Sequence, residues 1–355
     1  MPRVLIPTDE PNFSLGLVEG YRSLDWDVVT GAGNFKIREA SYDVVHYQWP
    51  EEYTRWHAPS REELDAVKQN LEWWATRSIC IFSVNNIYPH NGIDNPAYHE
   101  LYSLFYRHCN LITHYSNASQ RIVLEVFPAA RAARHVIHSP ASYEVTLATQ
   151  RKRGSQRAEL NIGDNEFVIL NLGRLRTWDE IRLIQSAFDL ARIPRKRLLM
   201  VGKFSIDASS VASCLGLIAY RLWLKRRRAV VERRYVPESE MFRFIDSSDV
   251  AIVPRIGGLS SAIPSIAMTF GRMVIAPNCG AYPDYFVGTR NLLYETGSSE
   301  SLAAMLEKAA ALDTNEIGRE NSVIASKWTW REICRTCLDA VCAQTTLPHS
   351  RSQVL

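Results

Sequence analysis

Short apolar runs alternate with amphipathic stretches of helical period along almost the whole chain, and no other feature limits the possible folds as strongly. In the first half, Val4-Leu5-Ile6, Asp27–Thr30, Asp43–Tyr47, Ile79–Val84, Leu111–Tyr115 and Val136-Ile137 read as strands. Phe13–Leu24, Glu62–Thr76, Tyr98–Arg107 and Ala118–Val126 read as helices between them; Glu62–Thr76 sets Leu64, Val67, Leu71 and Trp74 near helical spacing. The second half restarts the series. Its strands are Phe167–Leu172, Arg197–Val201, Val230–Val236, Asp249–Pro254, Met273–Pro277 and Leu292–Tyr294. Its helices are Asp179–Ala191, Ala208–Leu224, Glu238–Asp246, Ser260–Phe270, Ser299–Leu312 and Trp328–Ala343. Alternation of this kind builds βαβ units and a mainly parallel sheet. The polar, basic stretch 144–160 interrupts it and reads as a linker. The expected fold is α/β, with two doubly wound, Rossmann-like domains facing each other across a cleft.

At 355 residues, 46% hydrophobic and 22% charged, the chain is globular and long enough for two cores without disulfide or metal staples. A formal charge of +3 does not by itself point to nucleic acid, and none is expected as a partner. The apolar stretch at the start ends at Thr8, too short for a secretory signal, and no run is long enough to span a bilayer. Seven cysteines, mostly scattered, fit reduced thiols, and the expected location is cytoplasmic. Cys334-Arg335-Thr336-Cys337 is a CxxC without a second pair at zinc-ligand spacing and reads as core thiols; no metal site is expected.

In open α/β sheets, ligands bind beyond the carboxyl ends of the strands. In the second half those ends carry Gly173-Arg174-Leu175-Arg176, Gly202-Lys203 and Pro254-Arg255-Ile256-Gly257-Gly258-Leu259-Ser260-Ser261. Cations beside a helix start suit a diphosphate. In the first half they carry Asp9, Glu10, Gln48-Trp49-Pro50-Glu51-Glu52 and Asn85-Asn86-Ile87-Tyr88-Pro89-His90, groups that suit sugar hydroxyls and ring faces. Each has a plainer reading: a lone Arg174 or Lys203 is a solvated charge, Gly257-Gly258 a turn, and Trp49 and Trp56 core. The carboxylates are helix caps or candidate general bases, and His46, His90, His114 and His138 are, singly, structural. The segment Leu215–Arg228 is apolar and then sharply basic, and seven of residues 221–234 are Lys or Arg. It reads as a core helix with a solvated end, or as a patch for an anionic membrane surface.

Several motifs in order carry a resemblance: Gly173-Arg174-Leu175, Val201-Gly202-Lys203, Tyr235-Val236-Pro237-Glu238, Ser248–Pro254 and Gly271–Pro277. Over residues 165–315 the chain resembles glycosyltransferases of the GT-B fold, of the family 4 type. The first half is similar to a bacterial branch concerned with surface polysaccharides, through Asn12-Phe13, His46–Glu51, Asn86–His90, His114-Tyr115-Ser116 and His138–Tyr143. The resemblance implies an acceptor-side domain over 1–150, a nucleotide-sugar domain over 151–325, and a helix over 326–345 crossing back to the first domain. It implies that Arg174 and Lys203 hold the donor diphosphate, with Gly173, Arg176 and Pro254 beside them. Tyr235 and Val236 would line the base near Glu238, Ser260 and Ser261 would bond phosphate or sugar, and Asn86 and His90 would face sugar and acceptor. It further implies a retaining, metal-independent hexosyl transfer to a saccharide or lipid-linked acceptor, with a GDP- or UDP-hexose as substrate and no resident cofactor. Peripheral contact with the inner face of a membrane through 221–234 is compatible with it.

The chain departs from the family pattern in two places. Thr177-Trp178-Asp179-Glu180 puts an acid where a second Lys belongs, and Gly258 and Ile266 stand where two paired glutamates would. A degenerate GT-B chain serving as partner subunit or binding module of an active transferase is therefore the alternative. A nucleotide-sugar epimerase or a phosphorylase is a third reading: an epimerase would convert donor without any acceptor, and no lysine suits, by context, the pyridoxal Schiff base of a phosphorylase.

Overall fold

The computed structural model describes residues 1–89, 95–142, 153–204 and 210–342, and structural statements below concern these residues. Contacts divide the chain into two compact units, Met1–Ser139 with the chain from Trp328 onward, and Pro140–Lys327.

In unit 1 the elements are β1 (Arg3–Ile6), α1 (Pro11–Arg22), β2 (Asp27–Thr30), β3 (Val44–Tyr47), α2 (Arg61–Ala75), β4 (Ile79–Ser83), α3 (Pro96–His108), β5 (Leu111–His114), α4 (Asn117–Val126) and β6 (Arg134–Ile137). All strand pairs are parallel, in the order β2-β1-β3-β4-β5-β6. The inner strands are buried on both faces, as a parallel sheet covered by helices requires. In α2 the Ser60 side chain accepts from the Glu63 amide while the Glu63 carboxylate accepts from the Ser60 amide, a reciprocal cap worth about 1 kcal/mol. Leu64, Val67, Leu71 and Trp74 form the buried stripe of α2 that the sequence spacing predicts.

Unit 2 contains α5 (Arg153–Glu159), β7 (Phe167–Leu172), α6 (Trp178–Leu190), β8 (Lys196–Val201), α7 (Val211–Arg226), β9 (Val230–Glu232), α8 (Glu238–Ser247), β10 (Val250–Ile252), α9 (Ile263–Thr269), β11 (Met273–Pro277), α10 (Tyr282–Tyr285), β12 (Leu292–Tyr294), α11 (Ser299–Ala310) and α12 (Thr314–Ala325). Its sheet is also parallel throughout, in the order β12-β11-β10-β7-β8-β9. The last helix, α13 (Trp330–Cys342), returns to unit 1 and packs on α1. Gly16 and Gly20 make that approach possible. A Cβ at Gly16 would lie 2.1 Å from the Trp330 ring, and one at Gly20 would lie 2.6 Å from the Trp330 carbonyl oxygen. Cys334 and Cys337 are buried in this contact, and burial pushes the Cys337 thiol up to about 12, so the CxxC consists of inert core thiols.

Four expectations change. Residues 153–159 of the expected linker are helix α5, part of unit 2 (143–152 lie outside the described residues). The basic composition misleads there because Arg157 is buried: it donates to Ser247 O at 3.0 Å and to Asp249 Oδ2 at 2.8 Å. The third strand of unit 2 stops at Glu232, before a run of exposed residues from Arg233 to Tyr235. Helix α12, which the alternation does not reveal, starts at an Asp313 cap accepting from the Asn315 and Glu316 amides, each at 3.0 Å. Trp49 is core, but Trp56 is 54% exposed.

Candidate active site

The chain of unit 2 leaves β7 toward β8 and β9 and then returns to the other side of β7 with β10, β11 and β12. The switch point therefore lies between β7 and β10, where crevices form outside the strand ends. The loops there are Gly173–Arg176 and Pro254–Gly258, with Gly202-Lys203 next to them after β8. These loops meet backbone to backbone. Gly173 N donates to Val201 O at 2.8 Å and Leu175 N to Lys203 O at 3.1 Å. Gly202 has φ +132, and a Cβ on it would lie 2.3 Å from Gly173 O, so a side chain is excluded on both counts. The contact brings the Arg174 and Lys203 positions onto adjoining loops. Both side chains are exposed, and among the described residues neither has a hydrogen-bond or ion-pair partner.

Beneath them lies a buried pair that sequence reasoning did not assign. Arg255, after β10, donates to Glu180 Oε1 at 2.6 Å and to the carbonyl oxygen of Arg174 at 3.1 Å. Glu180 is 4% exposed, and its Oε2 accepts from the Arg176 amide at 2.7 Å. Its own amide donates to the Thr177 cap. Glu180 thus stands where the family resemblance expects a cation, but it turns inward. It fixes the loop backbone and is matched by Arg255. The Arg176 side chain is exposed along part of its length, yet its guanidinium is held below the ordinary arginine range, by partial desolvation first and then by Arg255.

The remaining expected residues spread over the same strand ends. Tyr235 is 57% exposed, whereas Val236 is buried under it. Arg233, beside them, lies over the Phe204 ring at 5.1 Å. Glu238 opens α8, and its side chain lies outside what is described. Pro254 is buried and supports its loop from below. Ser260 and Ser261 precede the helix instead of starting it: α9 begins at Ile263, and the Ser261 hydroxyl accepts from the Ile263 amide at 3.2 Å. Ser261 is thereby occupied in part as a cap, because Pro264 in the first turn pushes the helix start back.

In unit 1 the switch point lies between β1 and β3. Glu52 holds the loop after β1, accepting from Thr8 Oγ1 at 2.6 Å and from the Asp9 amide at 2.5 Å. Glu51 is buried and accepts from Tyr102 OH at 2.8 Å. Burial pushes both carboxyls up, but both are committed to the loop structure. Asn85 bridges two elements, donating to Gln48 Oε1 at 3.0 Å and accepting from Tyr115 OH at 3.2 Å. Gln48 Nε2 is buried without a partner, and Asn86 is half-buried with none among the described residues. His90 lies outside the described residues. Among the described residues no cluster of three or more His, Cys, Asp or Glu side chains is placed to hold a metal ion.

Below these loops a hydrogen-bonded row crosses the sheet. Tyr21 OH meets His46 Nδ1 at 2.9 Å, His46 Nε2 meets Ser83 Oγ at 2.8 Å, and Ser83 Oγ meets Thr113 Oγ1 at 3.0 Å. His114 Nε2 meets His135 Nδ1 at 2.8 Å. His46, with burial first and His138 second, is pushed down to about 3, as is His114, by burial and then by its histidine neighbours. Both are neutral parts of the core.

An acid-sensitivity prediction follows. Unfolded histidine takes a proton near pH 6.5, which the folded sites refuse until about 3. These groups cost nothing above pH 6.5, and stability drops as pH falls through the window from 6.5 to 3. At pH 5 each should cost about 2 kcal/mol. Glu51 and Glu52, raised in the fold, work in the opposite direction and offset part of this. Denaturant unfolding at pH 7.5 and 5.0 should show the net loss, and His46→Gln should flatten the dependence. Equal stability at both values, with no change of slope in the variant, would refute the buried-neutral assignment.

Residues 166–311, the whole strand-end region of unit 2, match the family model of glycosyl transferases group 1. No curated protein matches the sequence. Among solved structures, a sucrose-phosphate synthase from Thermosynechococcus elongatus superposes with a TM-score of 0.71 at 12% identity, covering 97% of this chain and 100% of that one. HepE of Anabaena, in complex with UDP and glucose, gives 0.69 at 15% identity over 97% and 100%. A glycosyltransferase of Rickettsia africae gives 0.66 at 14% identity over 98% and 99%. The two-sheet architecture is the GT-B fold of these structures.

Proposed function

We propose that this GT-B chain, whose residues 166–311 carry the group 1 glycosyltransferase domain, transfers a hexose from a nucleotide-sugar to a hydroxyl of a saccharide or lipid-linked saccharide. One observation carries the reading. Arg174 and Lys203 are exposed and, among the described residues, unpartnered on loops locked together at the switch point, while the neighbouring Arg255 is neutralised by Glu180. Two unpaired cations held by rigid backbone form a site waiting for an anion.

In the reaction, the bond from the sugar C1 to the diphosphate oxygen breaks and a bond from C1 to the acceptor oxygen forms. The acceptor proton is released with the diphosphate. Charge grows on the leaving diphosphate, and Arg174 and Lys203 stabilise it, which accelerates the step because the dipoles and charges are already in place. Tyr235 offers an exposed ring for the base, and Gly173 lets the phosphates approach the backbone. On unit 1, the half-buried Asn86 side chain offers hydrogen bonds to a hydroxyl. HepE was solved with UDP and with UDP-glucose, which favours UDP over GDP as the first nucleotide to try. Retention of configuration is the expected outcome, following the retaining trehalose-6-phosphate synthase of the same fold.

The partner-subunit alternative rests on an acid in place of the family's second lysine and on Gly258 and Ile266 in place of its paired glutamates. Glu180 is buried and matched, so it does not repel a diphosphate. Thermal stability against a panel of nucleoside diphosphates tests the choice. A nucleotide at about 100 times its dissociation constant should add roughly 2.7 kcal/mol. Stabilisation by UDP is the expected result. No response to any nucleotide from a folded sample would return the weight to the binding-module reading.

A further inference from the structure

Helix α7 is a core helix on one face only. It carries no charged residue from Val211 to Tyr220, and a helix apolar all round is ordinarily buried on all sides. Its inner face is buried: Tyr220 and Leu224 enter the core, and Gly216 sits against Trp178, where a Cβ would come within 2.9 Å of the ring. Its outer face is not. Val211 is 77% exposed, Leu215 61%, Ile218 51% and Leu222 52%. Their spacing places them in one stripe about 16 Å long.

The stripe runs into a cluster of cations. Arg221, Lys225, Arg226, Arg227 and Arg228 are all exposed. Arg227 pairs with Asp189 at 2.9 Å and Arg228 feels the Glu166 carboxylate, whereas Arg221, Lys225 and Arg226 have no carboxylate partner among the described residues. The cluster continues into a groove of about 620 Å³ lined by Arg195, Arg226, Arg228 and one acid, Glu166, which pairs with Arg197, at the end of β8 opposite Gly202. The whole α7 face therefore presents apolar groups and unneutralised positive charge, and α7 contains no acid.

We infer that α7 is an interfacial helix that lays Val211, Leu215, Ile218 and Leu222 onto an anionic lipid surface while Arg221, Lys225 and Arg226 meet the headgroups. Charge decides between occupants. A second copy of the chain would set one basic, acid-free helix against another, with nothing to neutralise the cations. Nucleic acid would answer the cations but leave the apolar stripe in water. An anionic bilayer answers both, since apolar burial and attraction to acidic lipid act together on such helices. The inference is independent of the donor-site reading. It gives the transferase a fixed position at a membrane, where a lipid-linked acceptor would be met.

The test is co-sedimentation of the full chain with vesicles of phosphatidylcholine alone and of phosphatidylcholine with phosphatidylglycerol. Binding to the anionic vesicles only is expected, weakening as salt rises from about 0.1 to about 1 M and the screening length falls from about 10 to about 3 Å. Leu215→Ser with Ile218→Ser and Leu222→Ser should lower binding at least about tenfold, because each removes apolar area from the bilayer. Arg221→Gln with Lys225→Gln and Arg226→Gln should do the same and weaken the salt dependence of any residual binding. Both variants change exposed positions only and should keep the wild-type melting temperature and the UDP response, which separates this test from that of the donor site. Absence of binding, equal binding to neutral vesicles, or full binding by either variant would overturn the inference. A dimer that the serine variant dissolves would overturn it too, and would assign the stripe to a second copy.

Discussion

Arg174→Ala and Lys203→Ala should each lower kcat/KM for sugar transfer by about 10²–10³ while leaving the melting temperature unchanged. The magnitude is that of removing one preorganised donor aimed at developing charge. The unchanged stability follows from their surroundings: both side chains are exposed and contribute no hydrogen bond or ion pair among the described residues, so their removal orphans nothing. This combination identifies a binding site, since a structural arginine would show the reverse. Steady-state kinetics beside thermal melts check it. Normal turnover in both variants would place the chemistry elsewhere.

Glu180→Ala should have the opposite profile, a loss of about 3–5 kcal/mol in stability along with the loss of nucleotide binding. Glu180 is buried and Arg255 largely so, with side chains 5% and 12% exposed. Removing the acid leaves a guanidinium without its counter-charge in a dry site, the case in which breaking a pair costs most. It also removes the acceptor of the Arg176 amide and loosens the loop that presents Arg174. Glu180→Met combined with Arg255→Met should recover most of the stability, because no charge is then stranded, but not the nucleotide affinity, because the loop is no longer fastened. Unfolding of the two variants and UDP titration of each measure both halves. Full stability in Glu180→Ala would mean that the pair contributes nothing, and the account of the inward acid would fail.

The fold is legible in the sequence because short continuous apolar runs such as Ile79–Ser83 and helical spacing such as that of Arg61–Ala75 survive in single stretches, and their burial needs no tertiary information. The strand-end loops are legible for the same reason. Once Phe167–Leu172 is a strand, Gly173-Arg174 must lie at its carboxyl end. The role of Glu180 is not legible, because an acid in the first turn of a helix reads as a solvated cap, and its burial depends on Arg255, 75 residues away. Arg157 defeats the linker expectation in the same way: a basic residue reads as solvated until its buried partner, Asp249, is known. Periodicity assigns α7 to the core because its apolar residues run all round the helix, and only the structure separates the packed face from the open one. The start of α9 is displaced from its expected place because Ser260-Ser261 resembles a cap from sequence, while Pro264 sets the first turn later.

The central claim is that the switch point of unit 2 is a diphosphate site built on Arg174 and Lys203. Calorimetric titration of UDP into the wild-type chain and into the Arg174→Ala, Lys203→Ala double variant tests it most directly. Saturable one-site binding to the wild type, weakened by at least about a hundredfold in an equally stable double variant, is the predicted result; two charge-assisted contacts at about 1.5–3 kcal/mol each account for it. Equal affinity in the two proteins, or no UDP binding to the folded wild type, would contradict it.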